Sequence, residues 1–245
     1  MTKILLLTCF FFLPFLIFSQ QKPVKADSAR TGGLYLDASG GLSVPMGYFA
    51  RDDVKFGGSG FATPGFLFQV NLDWTGKSNS GLALQYTFQR NPLKTSVSND
   101  TLSGMSRAVG TGSWTNHYLM VGVVFLHFIK KVYVEGRAMV GVILSSSPLF
   151  NTVDPIYLTP SKNTGIGLAY GAQFGAGYKI SPKVTLKASV ELILATPKIH
   201  HQYGAQQTLD TVTGTLVYSP PVTIETKRTV SALLVKAGIV VKLSK

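Results

Sequence analysis

In eight stretches of this chain, apolar residues alternate with polar or very small ones at a period of two, and none of the eight apolar rows contains an Asp, Glu, Lys or Arg. Successive side chains of a β-strand point to opposite faces, so this period marks strands with two chemically different sides. Across residues 166–178, one row is Ile166, Leu168, Tyr170, Ala172, Phe174, Ala176 and Tyr178; the other is Gly167, Ala169, Gly171, Gln173, Gly175 and Gly177. Residues 34–44, 66–74, 82–89, 119–125, 132–142, 184–194 and 233–243 follow the same pattern, with 119–125 the least regular because Met120 and Val124 fall on the second row. The charged residues within these stretches, Asp37, Asp73, Glu135, Arg137, Lys187, Glu191 and Lys236, all fall on the second row, as does Lys242 at the end of the last stretch.

A water-soluble barrel would enclose its apolar rows and tolerate charge outside. A charge facing hydrocarbon at mid-depth costs about 2–4 kcal/mol. Excluding charge from one row of every strand therefore points to lipid outside and ionised groups within. Charged residues make up 14% of the chain, against roughly 25% in soluble domains. The fold class expected is all-β: a transmembrane up-and-down antiparallel β-barrel of eight strands.

The connections fit that class. Residues 75–80, 128–131 and 179–183 are short and hold turn formers such as Gly76, Asn79 and Pro182. Residues 45–60, 91–113, 145–164 and 196–226 are long and polar, and are expected as loops. Short turns at one end and long loops at the other is the outer-membrane layout, with turns periplasmic and loops extracellular. An even strand count places both termini at the turn end. Aromatics mark two bands where headgroups would lie: Trp74, Phe125 and Tyr178 toward the turns, and Tyr86, Phe88 and Tyr170 toward the loops.

Residues 1–19 read as a signal peptide: Lys3 precedes an uncharged, mainly apolar run from Ile4 to Phe18, and Ser19 offers a small residue for cleavage. The run is shorter than the ~20 residues of a membrane-spanning helix. Leu6-Leu7-Thr8-Cys9 loosely resembles a lipoprotein cleavage box, but cleavage there would leave the apolar run Phe10 to Phe18 on the mature protein. Residues 20–32 form a brief periplasmic leader and residues 33–245 the barrel. Cys9 is the only cysteine, so the exported part has no disulfide, thiol nucleophile or cysteine-based zinc site. The net charge is +12, yet the basic residues are scattered without interleaved aromatics, and no nucleic-acid partner is expected.

On its strand cadence, on the opening Leu34-Tyr35-Leu36-Asp37-Ala38-Ser39-Gly40-Gly41 and on Phe18-Ser19-Gln20-Gln21, the chain resembles the small outer-membrane barrel families. These are the OmpA/OmpX-type barrels and the Bacteroidetes outer membrane protein beta-barrel domain, including PorT-like proteins. The resemblance implies a Gram-negative outer membrane, contact with its lipid and with the insertion machinery during biogenesis, and loops facing outward. Such barrels typically end on an aromatic residue, whereas this chain ends Val241-Lys242-Leu243-Ser244-Lys245. The resemblance also brings in a short O-glycosylation pattern, matched around Ser28, Thr101 and Thr211.

Eight strands leave a bore just wide enough for side chains. Tyr35, Gln69, Gln85, Arg137, Met139, Lys187 and Glu191 would fill it, and its opposite charges are expected to pair. A structural or surface-binding barrel with a plugged lumen is the expectation, with an extracellular ligand or envelope protein reached through the loops. The alternatives are a secretion- or motility-associated PorT-like barrel, a narrow channel, and an enzyme with its site on the extracellular rim. For the last, the candidates are His200 and His201 beside Asp210, a general base and its orienting carboxylate. No Gly-x-Ser-x-Gly, His-Glu-x-x-His or phosphate-cradling glycine loop occurs, so neither enzyme activity nor a cofactor is expected.

Overall fold

A strand that turns an apolar row to hydrocarbon must satisfy its backbone N–H and C=O groups along both edges, which a closed barrel alone achieves for every strand. The computed structural model closes in this way. It describes residues 32–52, 60–76, 79–94, 108–152, 163–203, 206–209, 216–219 and 222–243. The signal peptide, nearly all of the leader, Asp210 and the three glycosylation-type positions lie outside the described residues.

Eight strands form the wall: β1 (Gly33–Pro45), β2 (Gly65–Thr75), β3 (Ser80–Pro92), β4 (Ser113–Ile129), β5 (Val132–Ser147), β6 (Asn163–Lys179), β7 (Val184–Tyr203) and β8 (Val230–Lys242). Each pairs antiparallel with its sequence neighbours. β8 returns to β1 with Tyr35 opposite Lys242 and Val44 opposite Leu233, which shuts the cylinder. The eight segments read from the sequence are these eight strands. The turn between β4 and β5 is two residues, with Lys130 at φ 56, the left-handed conformation such tight hairpins use.

The strands run further toward the loop end than the alternation alone suggested. β7 continues past Leu194 to Tyr203, and its last residues pair with Val222–Lys227, Lys198 opposite Lys227 and His201 opposite Ile224. Gln206–Leu209 pairs with Leu216–Ser219, and Ala108–Thr111 with Leu149–Thr152. The polar loop expected over 196–226 is thus largely a β-hairpin rising from the barrel. Pro197, which reads as a strand terminator, is tolerated because its missing N–H falls at the break in the partner, between Lys227 and Val230. Arg228 N–H donates instead to the Pro197 carbonyl at 2.9 Å. Across the other edge, a Cβ on Gly167 would lie 2.6 Å from Pro197 Cα, so only glycine allows this approach.

Between β1 and β2, a one-turn helix α1 (Gly47–Ala50) tips Phe49 back over the loop-end mouth. Phe49 is buried edge-on against Trp114 with ring centroids 5.6 Å apart, and Trp114 Nε1–H donates to the Gly60 carbonyl at 2.7 Å. Ser231 holds the start of this segment through Met46, donating from Oγ to the Met46 carbonyl at 2.7 Å.

Candidate functional site

The second rows of all eight strands converge on the lumen. Asp37, Asp73, Glu135, Arg137, Lys187, Glu191 and Lys236 are all buried there, so the seven charges named from the sequence share one enclosure. Arg137 on β5 is the hub. Its two terminal nitrogens donate to both Asp73 oxygens at 2.9 and 2.8 Å, and its Nε donates to Glu135 Oε1 at 3.0 Å. A bidentate guanidinium–carboxylate pair of this kind is among the strongest of ionic hydrogen bonds. Asp37 lies 3.5 Å from the same guanidinium and accepts a 2.5 Å hydrogen bond from Lys187, whose ammonium also meets Glu135 Oε1 at 2.6 Å.

A second pair sits one layer toward the loops. Lys236 bonds Glu191 and also donates to Gln69 Oε1 at 2.5 Å and Gln173 Oε1 at 2.8 Å. Gln173 donates in turn to Glu135 at 2.6 Å, and Asn71 donates to Asp37 at 3.0 Å while accepting from Gln69 at 3.0 Å. Amide side chains therefore weld the two ionic groups into one network. Four carboxylates face three cations, and each charge has at least one partner of opposite sign, as burial requires.

Above the charges the lumen is neutral and polar, then apolar. Gln89 receives Tyr118 Oη–H at 2.6 Å and donates to Ser43 Oγ at 2.6 Å and Asn91 Oδ1 at 2.8 Å. Ser145 donates to Asn116 at 2.6 Å. Ile143, Ile193, Ile199, Leu234 and Phe49 then close the loop end, and Val124, Leu126 and Tyr133 pack at the turn end. Sequence reasoning identified the charges and missed the cap, because nothing in the segment around Phe49 alternates. Trp114 was within reach, since it shares parity with Asn116, Tyr118 and Met120 on β4.

Small residues make room for this filling. A Cβ on Gly171 would approach Glu191 Oε1 to 3.0 Å, one on Gly175 would meet the Ser189 side chain at 2.9 Å, and one on Gly177 would sit 2.2 Å from the Tyr133 ring. The three glycines are lumen-facing, as their place in the alternation requires.

The outer face is the reverse. Leu42, Phe66, Leu82, Leu119, Val121, Leu168 and Phe174 are exposed, and among the described strands charge enters these rows only toward the loop end, at Arg90 on β3 and Lys198 on β7. The six girdle aromatics all face outward; Trp74 is the most open at 67% and Phe88 is half-buried. Tyr86 and Phe88 join Phe66 and His117 in one cluster, with Tyr86 Oη 2.9 Å from His117 Nδ1.

This is the arrangement of a barrel built for lipid. The fold is that of an outer-membrane β-barrel. Neisserial surface protein A is similar in structure, with 14% of residues identical, 86% of this chain and 97% of that chain covered, and a TM-score of 0.50. The Pseudomonas aeruginosa outer membrane protein OprG is 8% identical, with 86% and 98% covered and a TM-score of 0.48. The Escherichia coli outer membrane protease OmpT is 12% identical, with 89% and 99% covered and a TM-score of 0.43. At these identities the likeness describes fold and leaves activity open. No protein-family model matches the chain, and no curated protein matches it.

At the loop end of the barrel, His200 and His201 are consecutive residues of β7, not members of a free loop. His200 is exposed, with Thr164 opposite on one side and Glu225 on the other. Lys198 Nζ pairs with Glu225 Oε1 at 2.9 Å, and this hydrogen bond and charge hold the exposed Glu225 carboxyl below the usual glutamate range. Among the described residues no group of three His, Cys, Asp or Glu side chains is placed to hold a metal.

Proposed function

We propose that this protein is an integral outer-membrane β-barrel with a structural or surface-binding role and no transport path or catalytic centre of its own. The observation that carries the reading is the contrast between an outer wall of exposed Leu, Val, Phe and Tyr and a lumen filled by the Arg137 and Lys236 networks. Eight-stranded cylinders leave room only for side chains, and here those side chains interlock from Tyr133 at the turn end to Phe49 at the loop end.

In this reading the short turns face the periplasm, residues 1–19 are removed on export, and the insertion machinery assembles the barrel. The hairpin from Lys198 to Lys227 and the segments on either side of it are the recognition surface, because variable outer segments on a rigid wall are where such proteins bind. The opening from Leu34 to Gly41 favours the Bacteroidetes barrel domain within this class, and a gene neighbourhood of secretion components would extend the reading to a PorT-like role.

The test is direct. The native protein should fractionate with outer membranes, migrate faster on SDS gels before boiling than after, and give no stepwise ion current in planar bilayers. Recovery in the soluble fraction overturns the membrane reading, and steady conductance overturns the plugged lumen. His200→Ala and His201→Ala should leave insertion and every envelope phenotype unchanged; loss of a hydrolytic activity in an inserted variant would restore the rim enzyme.

A further inference from the structure

The outer wall is not evenly bulky. Ala176, Ala188 and Ala237 stand in register across β6, β7 and β8, between a row of Phe174, Val190 and Val235 and a row of Tyr178, Leu186 and Ile239. Three methyl groups flanked by larger side chains leave an open groove of about 590 Å³, walled on its turn side by Val132, Tyr178, Leu186 and Ile239. At ~4.8 Å per strand, three strands make it about 15 Å long, enough to seat much of an acyl chain.

The rim just beyond that wall carries one sign of charge. Lys131 precedes Val132, and Lys183 lies in the turn after β6; Lys179, opposite the buried Thr185, belongs to the lumen row. The two turns are held side by side, Lys179 N–H donating to the Lys131 carbonyl at 2.8 Å, and the Lys183 carbonyl accepts from Lys242 N–H at 2.9 Å. Lys131 and Lys183 are exposed, and among the described residues neither they nor Lys179 form an ion pair. The described turn segments hold no Asp or Glu; the acids nearest this end, Asp73 and Glu135, are buried and committed to Arg137 and Lys187.

We propose that groove and rim together bind one anionic phospholipid of the leaflet at the turn end, a phosphatidylglycerol-type molecule. Its acyl chain lies on the alanine floor and its phosphate sits beside the exposed Lys131 and Lys183. The inference rests on the membrane reading above. The apolar groove alone would suit any acyl chain, whereas the unopposed lysines select a negative headgroup. Each lysine near a surface favours an anionic lipid by roughly five-fold, so two acting together give a preference large enough to survive detergent extraction.

The test is native mass spectrometry of the full chain, extracted in detergent and offered phosphatidylglycerol or phosphatidylcholine with identical acyl chains. The wild type should retain one phosphatidylglycerol at least ten-fold more strongly than phosphatidylcholine. K131Q/K183Q should abolish the preference while keeping residual binding of both lipids. Ala188→Phe, which fills the groove, should weaken both lipids equally, and the single variant Lys183→Gln should give an intermediate preference should the double variant not fold. Equal retention of the two lipids by the wild type would overturn the site, as would a preference untouched by the lysine changes. A dimer that Ala188→Phe dissolves would also overturn it, by giving the groove to a second copy. Heat-dependent gel mobility of each sample separates these outcomes from a failure of the membrane reading, in which the wild type itself would not insert.

Discussion

Leu84 and Gln85 are neighbours on β3, yet they live under opposite rules. Leu84 is 45% exposed on the outer wall with Leu72 and Val121 beside it, whereas Gln85 is fully buried and donates to Glu191 at 2.8 Å. The same contrast repeats around the cylinder. Outside, side chains need only be apolar, so Leu, Val, Phe and Ile interchange freely along the rows. Inside, most polar atoms meet a particular partner, with Asp37 Oδ1 and Gln85 Oε1 left without a hydrogen bond, so identity matters residue by residue. The two faces differ in tolerance as well as in polarity, and substitutions can test that difference.

The largest effect is expected at the hub. Arg137→Met leaves Asp73, Glu135 and Asp37 short of their shared cation, and removing one partner of a buried ionic group costs about 3–5 kcal/mol. Urea unfolding in lipid vesicles should show this loss, and a variant that also carries Asp73→Asn and Glu135→Gln should recover most of it. A neutral Arg137→Met would mean the lumen is wetter and more permissive than the contacts imply.

On the outer wall the cost should depend on depth. Val121 stands at the centre of β4 and is 56% exposed; Val121→Arg should cost about 2–4 kcal/mol, and Ile129→Arg at the turn end about 0–1 kcal/mol. Equal costs at the two positions would erase the distinction between hydrocarbon and headgroup levels. A smaller effect tests fit inside the lumen. Gly177→Ala drives a methyl group into the Tyr133 ring, and such overpacking costs about 1–3 kcal/mol. Tyr133→Leu should relieve it, which a double-mutant cycle would read as coupling.

The smallest effect lies outside the membrane. Lys198 lowers the pKa of the exposed Glu225, so the pair's contribution is present above the ordinary glutamate pKa and fades as pH falls through the lowered value. Carboxyl-resolved NMR should place the Glu225 midpoint below that of a free glutamate, and Lys198→Gln should return it. Unfolding should scarcely change, because exposed pairs stabilise little.

Much of this was legible in the residues. Period two specifies which side chains share a face, so the seven lumen charges and six girdle aromatics could be assigned from parity alone. Which charge meets which could not. Asp73 and Arg137 are 64 residues apart, and only barrel closure and register bring them together. The extension of β7 was hidden by Pro197, whose usual meaning is overridden by a gap in its partner strand. The cap escaped because Phe49 lies in a non-periodic segment whose role depends on the mouth it covers.

The chain's two tryptophans provide the most direct test of the central claim. Trp74 is on the outer wall and Trp114 is buried inside the barrel. In vesicles of phospholipids brominated along their acyl chains, a variant retaining only Trp74 (Trp114→Phe) should be strongly quenched, and one retaining only Trp114 (Trp74→Phe) should not. Quenching of Trp114 with Trp74 spared, or no quenching of either, would contradict the assignment of the apolar rows to lipid.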